Sequence, residues 1–330
     1  MKKMNGKKLV FLTAILVLLM LCFTGCGDNK ETVLIYTSSE DFKIEHMSAV
    51  LAEKFPDYDI IIEYLSTGNH AAKLLAEGKG TECDITHDLE YAYLSQLDSK
   101  GILADLSAFD KSIYCDDTNH SQNYIIELRN SGAIILNMDV LASKNLPEPT
   151  CYEDLLKPEY KNLISMPSPK ASGTGYMFLK SLVNAWGEDK ALDYFDKLTG
   201  NILQYTTSGS GPVNALIQGE VAIGLGMTAQ AVTEINKGTN LKIVFFSEGA
   251  PFTLYGQSMI KGKETRTAVK EVFDFLVNEY NYENNEKFFP EQIYKDKTYT
   301  VTNYPTNIPY ADMSNNSIQA KQALLDKWPH

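Results

Sequence analysis

One pattern constrains this chain more than any other: compact apolar runs alternate with apolar positions spaced as on one face of a helix. Val33-Leu34-Ile35-Tyr36 is followed by Ile44, Met47, Leu51 and Phe55 at helical spacing. Ile60-Ile61-Ile62 leads to a helix over Ala71 to Glu77, and Cys83-Asp84-Ile85-Thr86 to one through Tyr91 and Leu94. Gly132 to Asn137 reads as a buried strand. Prolines 147, 149, 158, 167 and 169 then mark a passage to a second region of the same kind. There, Leu163 to Met166 precedes helices through Phe178 and Leu182 and around Ala191 to Leu198. Val221 to Leu225 precedes a helix across Ala229 to Ile235, and Leu241 to Phe246 is a strand. Tyr255 to Ile260 reads as a return strand, followed by a helical stripe of Val269, Val272, Phe273 and Leu276. Strands alternating with helices predict an α/β protein with mixed, mostly parallel sheets covered by helices on both faces.

The N-terminus is of a different kind. Lys2, Lys3, Lys7 and Lys8 precede an apolar run from Leu9 to Phe23 broken only by Thr13, and Thr24-Gly25-Cys26 closes it. A basic start, a short apolar core and small residues at the end describe a secretory signal peptide over residues 1–25. The run is short for a bilayer span, which needs about 20 residues. Cys26 at the cut resembles a lipobox cysteine, which implies lipidation and a membrane-held N-terminus. Residues 26–32 then form a short polar tether.

Without its signal the chain carries 26 basic against 42 acidic residues, a net charge of −16. An acidic surface repels phosphate backbones, so nucleic-acid binding is not expected. Arg129 and Arg266 are the only arginines, so an anion site would depend on neutral donors or lysine rather than bidentate guanidinium clamps. Cys83, Cys115 and Cys151 match no zinc spacing; one disulfide with a free thiol and three reduced thiols are both open.

Four turns share a composition: Thr37-Ser38-Ser39, Ser66-Thr67-Gly68, Ser172-Gly173-Thr174-Gly175 and Ser208-Gly209-Ser210-Gly211. Each precedes a predicted helix, and Ser38 with Asp41 has the spacing of a capping box. Helix N-termini at strand ends offer unpaired N–H groups and the positive end of a dipole. Glycine allows close backbone approach, and serine or threonine adds a hydroxyl. The same residues are also the preferred helix caps, which is the competing explanation for each turn. The candidate ligand residues are Ser38, Ser39, Thr67, Ser172, Gly173, Thr174, Ser208, Gly209 and Ser210, with Asp88, Thr228 and Tyr255 added to them. His46, His70, His87, His120 and His330 show no metal spacing, and no metal or cofactor is expected. In the run Asp84 to Glu90, Asp84 is read as a turn hydrogen-bonder and Asp88 as a helix start or the partner of a ligand amine. No serine-hydrolase elbow, zincin motif or phosphate-loop lysine occurs, so catalysis is not expected.

The order of these segments resembles a known family. Ile35-Tyr36-Thr37-Ser38-Ser39, Ser66-Thr67-Gly68 before Ala76-Glu77-Gly78, and Cys83-Asp84-Ile85 come first. Pro169 to Tyr176, Gly219-Glu220-Val221-Ala222-Ile223-Gly224 and Gly256-Gln257-Ser258-Met259-Ile260 follow. The chain is similar to the extracellular solute-binding proteins of ABC importers, in the ferric-iron-binding-like branch. That resemblance implies a type 2 periplasmic-binding-protein fold: residues 33–136 and 256–330 as one lobe, 137–255 as the other, with two crossing strands as hinge near Asn137 and Gly256. It further implies a small-molecule ligand, delivery to a permease and ATPase, and a monomer. Iron-binding members use His, Glu and two adjacent tyrosines, where this chain has Glu40, Leu89 and Thr228-Ala229. The resemblance therefore favours a phosphonate or sugar phosphate over ferric iron. Ferric iron, a membrane-tethered sensor and a surface hydrolase are the alternatives.

Overall fold

A computed structural model describes residues 30–330. The signal peptide, Cys26 and most of the tether lie outside the described residues. The first strand, β1 (Glu31–Thr37), starts inside the stretch expected to be tether. It runs into α1 (Asp41–Lys54), then β2 (Tyr58–Tyr64), α2 (Thr67–Glu77), β3 (Ile85–Glu90) and α3 (Tyr91–Ser99). The long strand β4 (Ile125–Asn137) follows, buried along its whole length. Then come α4 (Met138–Ser143), β5 (Ile164–Pro167), α5 (Gly173–Trp186), α6 (Glu188–Thr199), β6 (Ile202–Thr206) and α7 (Gly211–Ile217). The chain continues with β7 (Ile223–Met227), α8 (Thr228–Asn236), β8 (Leu241–Val244), β9 (Phe252–Met259), α9 (Thr267–Phe275), α10 (Asn281–Lys287) and α11 (Ile318–Lys327).

The strands order as β2-β1-β3-β9-β4-β7-β5-β6, with β8 beside β4. β1 pairs parallel with β2 and β3, and β5 pairs parallel with β6 and β7, as strand–helix–strand units require. β4 and β9 join the halves by antiparallel pairing. β4 changes partners within its length: Ile125 to Ser131 pair with β9, and Gly132 to Leu136 pair with β7. The handover at Ser131–Gly132 therefore precedes the junction expected near Asn137. This is the two-lobed periplasmic-binding-protein architecture.

Each lobe has its own apolar interior. In the first, Val33, Ile35, Met47 and Leu51 meet Val269, Val272 and Phe273 on one side of the sheet. Ala71, Leu74, Leu94 and Leu97 fill the other side. In the second, α5 is buried from Gly173 to Leu182 and packs with Tyr152, Tyr194, Phe195 and Ile223. Leu324, Leu325 and Trp328 join that second interior, although the residues after 256 were expected to belong to the first lobe. Cys83, Cys115 and Cys151 are free thiols. No helix of the described residues is long and apolar enough to cross a membrane.

Candidate functional site

The lobes meet at a cleft of about 240 Å³. The first lobe supplies Ser38, Glu40 and Asp41 from the β1–α1 turn, Tyr64, Ser66 and Thr67 from the β2–α2 turn, and Tyr255 from β9. The second lobe supplies Ala171, Ser172 and Thr174 at the start of α5, Thr207 to Ser210, and Asn214 on α7. The walls approach closely. A methyl group on Gly209 would lie 2.5 Å from Thr174 Oγ1 and 3.4 Å from Glu40 Oε1, and one on Gly173 would lie 2.4 Å from the Tyr255 hydroxyl. Gly173 N donates to Thr67 Oγ1 at 3.4 Å, and Gly68 N to the Ala171 carbonyl at 3.5 Å, so backbone of each lobe touches the other.

Three helices of 14, 11 and 14 residues, α1, α2 and α5, begin on this cleft. The first-turn N–H groups of a helix have no acceptor within it and are served by side-chain caps, water or ligand. Ser66 and Ser172 stand at the N-cap positions of α2 and α5, yet neither side chain accepts a cap hydrogen bond. By contrast Asn137 caps α4 through Val140 N, and Ser317 caps α11 through Ala320 N. Nor does the capping box expected of Ser38 and Asp41 form: Glu40 is the N-cap residue, and Ser38 Oγ lies 2.9 Å from His70 Nδ1 instead. The cap explanation thus fails at the turns that border the cleft.

Charge in the lining is confined to two acids, Glu40 and Asp41. Burial pushes the Glu40 carboxyl up to about 7, Lys43 opposes the rise and Asp88 adds to it. Beneath the cleft floor lies a buried ionic layer. Lys43 pairs with Asp88, and Ser39 Oγ donates to Asp88 Oδ2 at 2.6 Å. Burial opposes both charges of that pair, but their mutual attraction prevails and holds Lys43 above and Asp88 below its ordinary value. His87 approaches Glu127 at 3.3 Å; burial lowers the His87 imidazole to about 4, so the ring is neutral at pH 7, and burial with the nearby Asp88 charge raises the Glu127 carboxyl well above its ordinary value.

The structure gathers Ser38, Thr67, Ser172, Thr174, Ser208, Gly209, Ser210 and Tyr255 around the cleft. Gly173 lies directly behind the lining against Tyr255. Three candidates are placed elsewhere. Ser39 is fully buried on Asp88. Asp88 is 3 % exposed and neither starts a helix nor faces a ligand amine, because it sits in β3 with φ of 52° at an irregularity in the β3–β9 pairing and is held by Lys43. Thr228 is fully buried, its Oγ1 2.9 Å from Ser131 Oγ. Asp84 accepts from Leu34 N at 2.9 Å and pairs with Arg266. Residues that the sequence did not single out also line the cleft. Thr207 extends one of the hydroxyl-rich turns and Ser66 opens another that was named without Ser66 being counted among the ligand residues; that composition was the available signal. Tyr64 and Asn214 carried none. Among the described residues, no group of three His, Cys, Asp or Glu side chains could hold a metal ion.

A family model described as bacterial extracellular solute-binding protein matches residues 89–307, most of the chain. The chain belongs to that family. An uncharacterized protein of Haemophilus influenzae is 25% identical over 323 residues, covering 93% of this chain and 92% of the relative. The fold matches the periplasmic binding protein AfuA of Actinobacillus pleuropneumoniae, solved with exogenous fructose-6-phosphate, with a TM-score of 0.79 at 24% identity over 91% of this chain and 98% of that one. It also matches iron-bound HitA of Pseudomonas aeruginosa, with a TM-score of 0.70 at 17% identity over 91% and 100% of the two chains. Binding proteins of this family work outside the cytoplasm and deliver small ligands to an ABC permease and its ATPase.

Proposed function

We propose that this protein captures a small solute bearing a phosphate or phosphonate group in the interlobe cleft and presents it to an ABC importer. One observation carries the reading: α1, α2 and α5 begin on one cleft, and the cap hydroxyls of Ser66 and Ser172 are not spent on their own helices. Helix N-termini with flanking hydroxyls stabilise an anion without any arginine, through the dipole and the first-turn N–H groups that the cross-lobe bonds of Gly68 and Gly173 leave over. Fold likeness does not choose the ligand, since similar folds hold a sugar phosphate in one case and iron in another. The donor chemistry supports an anion. Ferric iron would draw on a cluster of anionic oxygen or imidazole ligands, whereas the lining has no histidine, only Glu40 and Asp41 as acids, and Tyr64 and Tyr255 on separate strands among eight serines and threonines. Glu40 weighs less against an anion than an ordinary glutamate, because near pH 7 much of it is protonated.

Lobe closure about β4 and β9 is the binding motion, and Cys26 tethers the receptor to the membrane beside its importer. The protein works as a monomer and turns nothing over. A thermal-shift screen tests the ligand class, because a molecule that binds only the folded state raises the melting temperature. Methylphosphonate, 2-aminoethylphosphonate, fructose 6-phosphate and inorganic phosphate form one arm, ferric citrate the other. A rise in the first arm alone is expected. A rise with ferric citrate alone would refute the anion reading.

A further inference from the structure

We propose that His70 holds the hydroxyl of Ser38 as a hydrogen-bond donor facing the cleft, so that this position selects solutes presenting an acceptor oxygen. The inference rests on the cleft being the solute site, but its direction follows from the geometry of three side chains. Ser38 lines the cleft at the end of β1, and its Oγ is 2.9 Å from His70 Nδ1. His70 comes from α2, is fully buried, and sets its ring edge-on to Tyr36 with centroids 6.2 Å apart. Its other nitrogen, Nε2, is 2.9 Å from Oγ1 of Thr86, a fully buried residue of β3. Ser38, His70 and Thr86 therefore form a line from the ligand space into the first lobe.

Burial lowers the His70 imidazole to about 3, so the ring is neutral at any working pH. A neutral imidazole has one N–H and one lone pair, and the hydrogen bond at one nitrogen decides which the other carries. Thr86 Oγ1 has His70 Nε2 as its sole side-chain partner among the described residues. Were Nε2 to carry the proton, the Thr86 hydroxyl would accept it and bury its own O–H without an acceptor, which is costly in a dry interior. The satisfied arrangement has Thr86 donating to Nε2. The ring proton then sits on Nδ1 and is donated to Ser38 Oγ, which leaves the single proton of Ser38 to point into the cleft. The opposite tautomer would draw that proton onto Nδ1 and make Ser38 an acceptor, suited to an ammonium group. His70 is thus a positioning residue: it touches no solute, yet it sets whether Ser38 gives or takes.

The tautomer is readable without any ligand. In protein labelled with nitrogen-15 histidine, two-bond proton–nitrogen spectra are expected to show His70 with a protonated Nδ1 and a bare Nε2. A protonated Nε2 overturns the proposal whether or not anything binds. Calorimetry with inorganic phosphate then reads the consequence. Ser38→Ala is expected to weaken binding about tenfold, the loss of one hydrogen bond to a charged group. Thr86→Val removes the donor to Nε2 at constant shape and is expected to weaken binding several-fold. The double variant should be no weaker than Ser38→Ala, since both changes remove the same donated proton. Additive losses in the double variant would also overturn the proposal. If the Nδ1 tautomer is found and the wild-type protein ignores phosphate, the anion reading of the cleft fails while the direction of the relay stands.

Discussion

Glu40 is the residue on which the cleft and the stability of the fold meet. It ends the β1–α1 turn with its carboxyl between Lys43 below and Gly209 across the cleft, and burial raises it from 4.5 to about 7. A folded state that holds a proton more tightly than the unfolded chain gains stability from that group below the unfolded value and loses it as pH rises through the folded value. For Glu40 the loss falls between about pH 4.5 and 7. Glutamine carries no charge at either end of that window. Glu40→Gln is therefore expected to match the wild-type melting temperature near pH 4.5 and to exceed it by a few degrees at pH 8, measured by calorimetry; equal curves at both values would show that the carboxyl is solvated. The sequence did point to the hydroxyl-rich turns, because Ser, Thr and Gly clustered at strand ends mark helix starts. It named Glu40 only as the counterpart of an iron ligand and gave His70 no role in the site. Ser38 meets His70 across 32 positions, and only the packing of α2 against β1 and β3 creates that contact.

At the scale of elements, the start of α5 shows how closely the lobes are fitted. A methyl group on Gly175 would fall 2.4 Å from the Pro167 carbonyl and 2.7 Å from Ser168 backbone, neither of which can swing away. Overpacking of this kind typically costs about 1–3 kcal/mol. Gly175→Ala is expected to lower the midpoint of urea unfolding accordingly. On Gly173 the obstacle is instead the hydroxyl of Tyr255, a side chain reaching from the other lobe. Gly173→Ala is expected to spare the midpoint more than Gly175→Ala does while weakening solute binding at least tenfold, because it props the cleft open. Equal effects on both measurements for the two variants would contradict this division. Most helices and most parallel strands of each lobe were legible because their apolar residues obey one period. The first half of β4 was not, since Glu127, Arg129, Asn130 and Ser131 interrupt the apolar run while remaining buried. Their partners come from distant segments: Asn285 Nδ2 donates to the Glu127 carbonyl, Arg129 pairs with Asp117, and Ser131 Oγ donates to Glu291. Strand β6 was missed for the opposite reason, being short, with only Ile202 buried.

In the whole molecule the last helix, which was not read from the sequence, joins the two lobes. Lys321 on α11 is 2 % exposed and reaches Glu90 at the end of β3, 2.7 Å away and 1 % exposed. Its ammonium lies over two rings, Tyr93 of the first lobe at 4.2 Å and Tyr176 of the second at 4.3 Å. Asn316 and Thr253 donate to the other oxygen of Glu90, at 3.2 and 3.3 Å. A few residues on, Trp328 packs edge-on to Phe195 and Tyr205 in the second lobe. One short segment is thus anchored in both lobes, so the proposed lobe closure has to be compatible with this tie. Removing one member of a buried ion pair leaves the other charge uncompensated and costs about 3–5 kcal/mol, whereas replacing both by apolar side chains is often close to neutral. Lys321→Met alone is therefore expected to lose stability in that range by chemical denaturation, and Lys321→Met with Glu90→Leu to recover much of it. The cleft should answer differently. The recovered double variant lacks the charge that pins α11 to the first lobe, so it is expected to bind solute more weakly than wild type despite its regained stability. Full recovery of both stability and affinity would show that α11 serves the second lobe alone and has no part in closure.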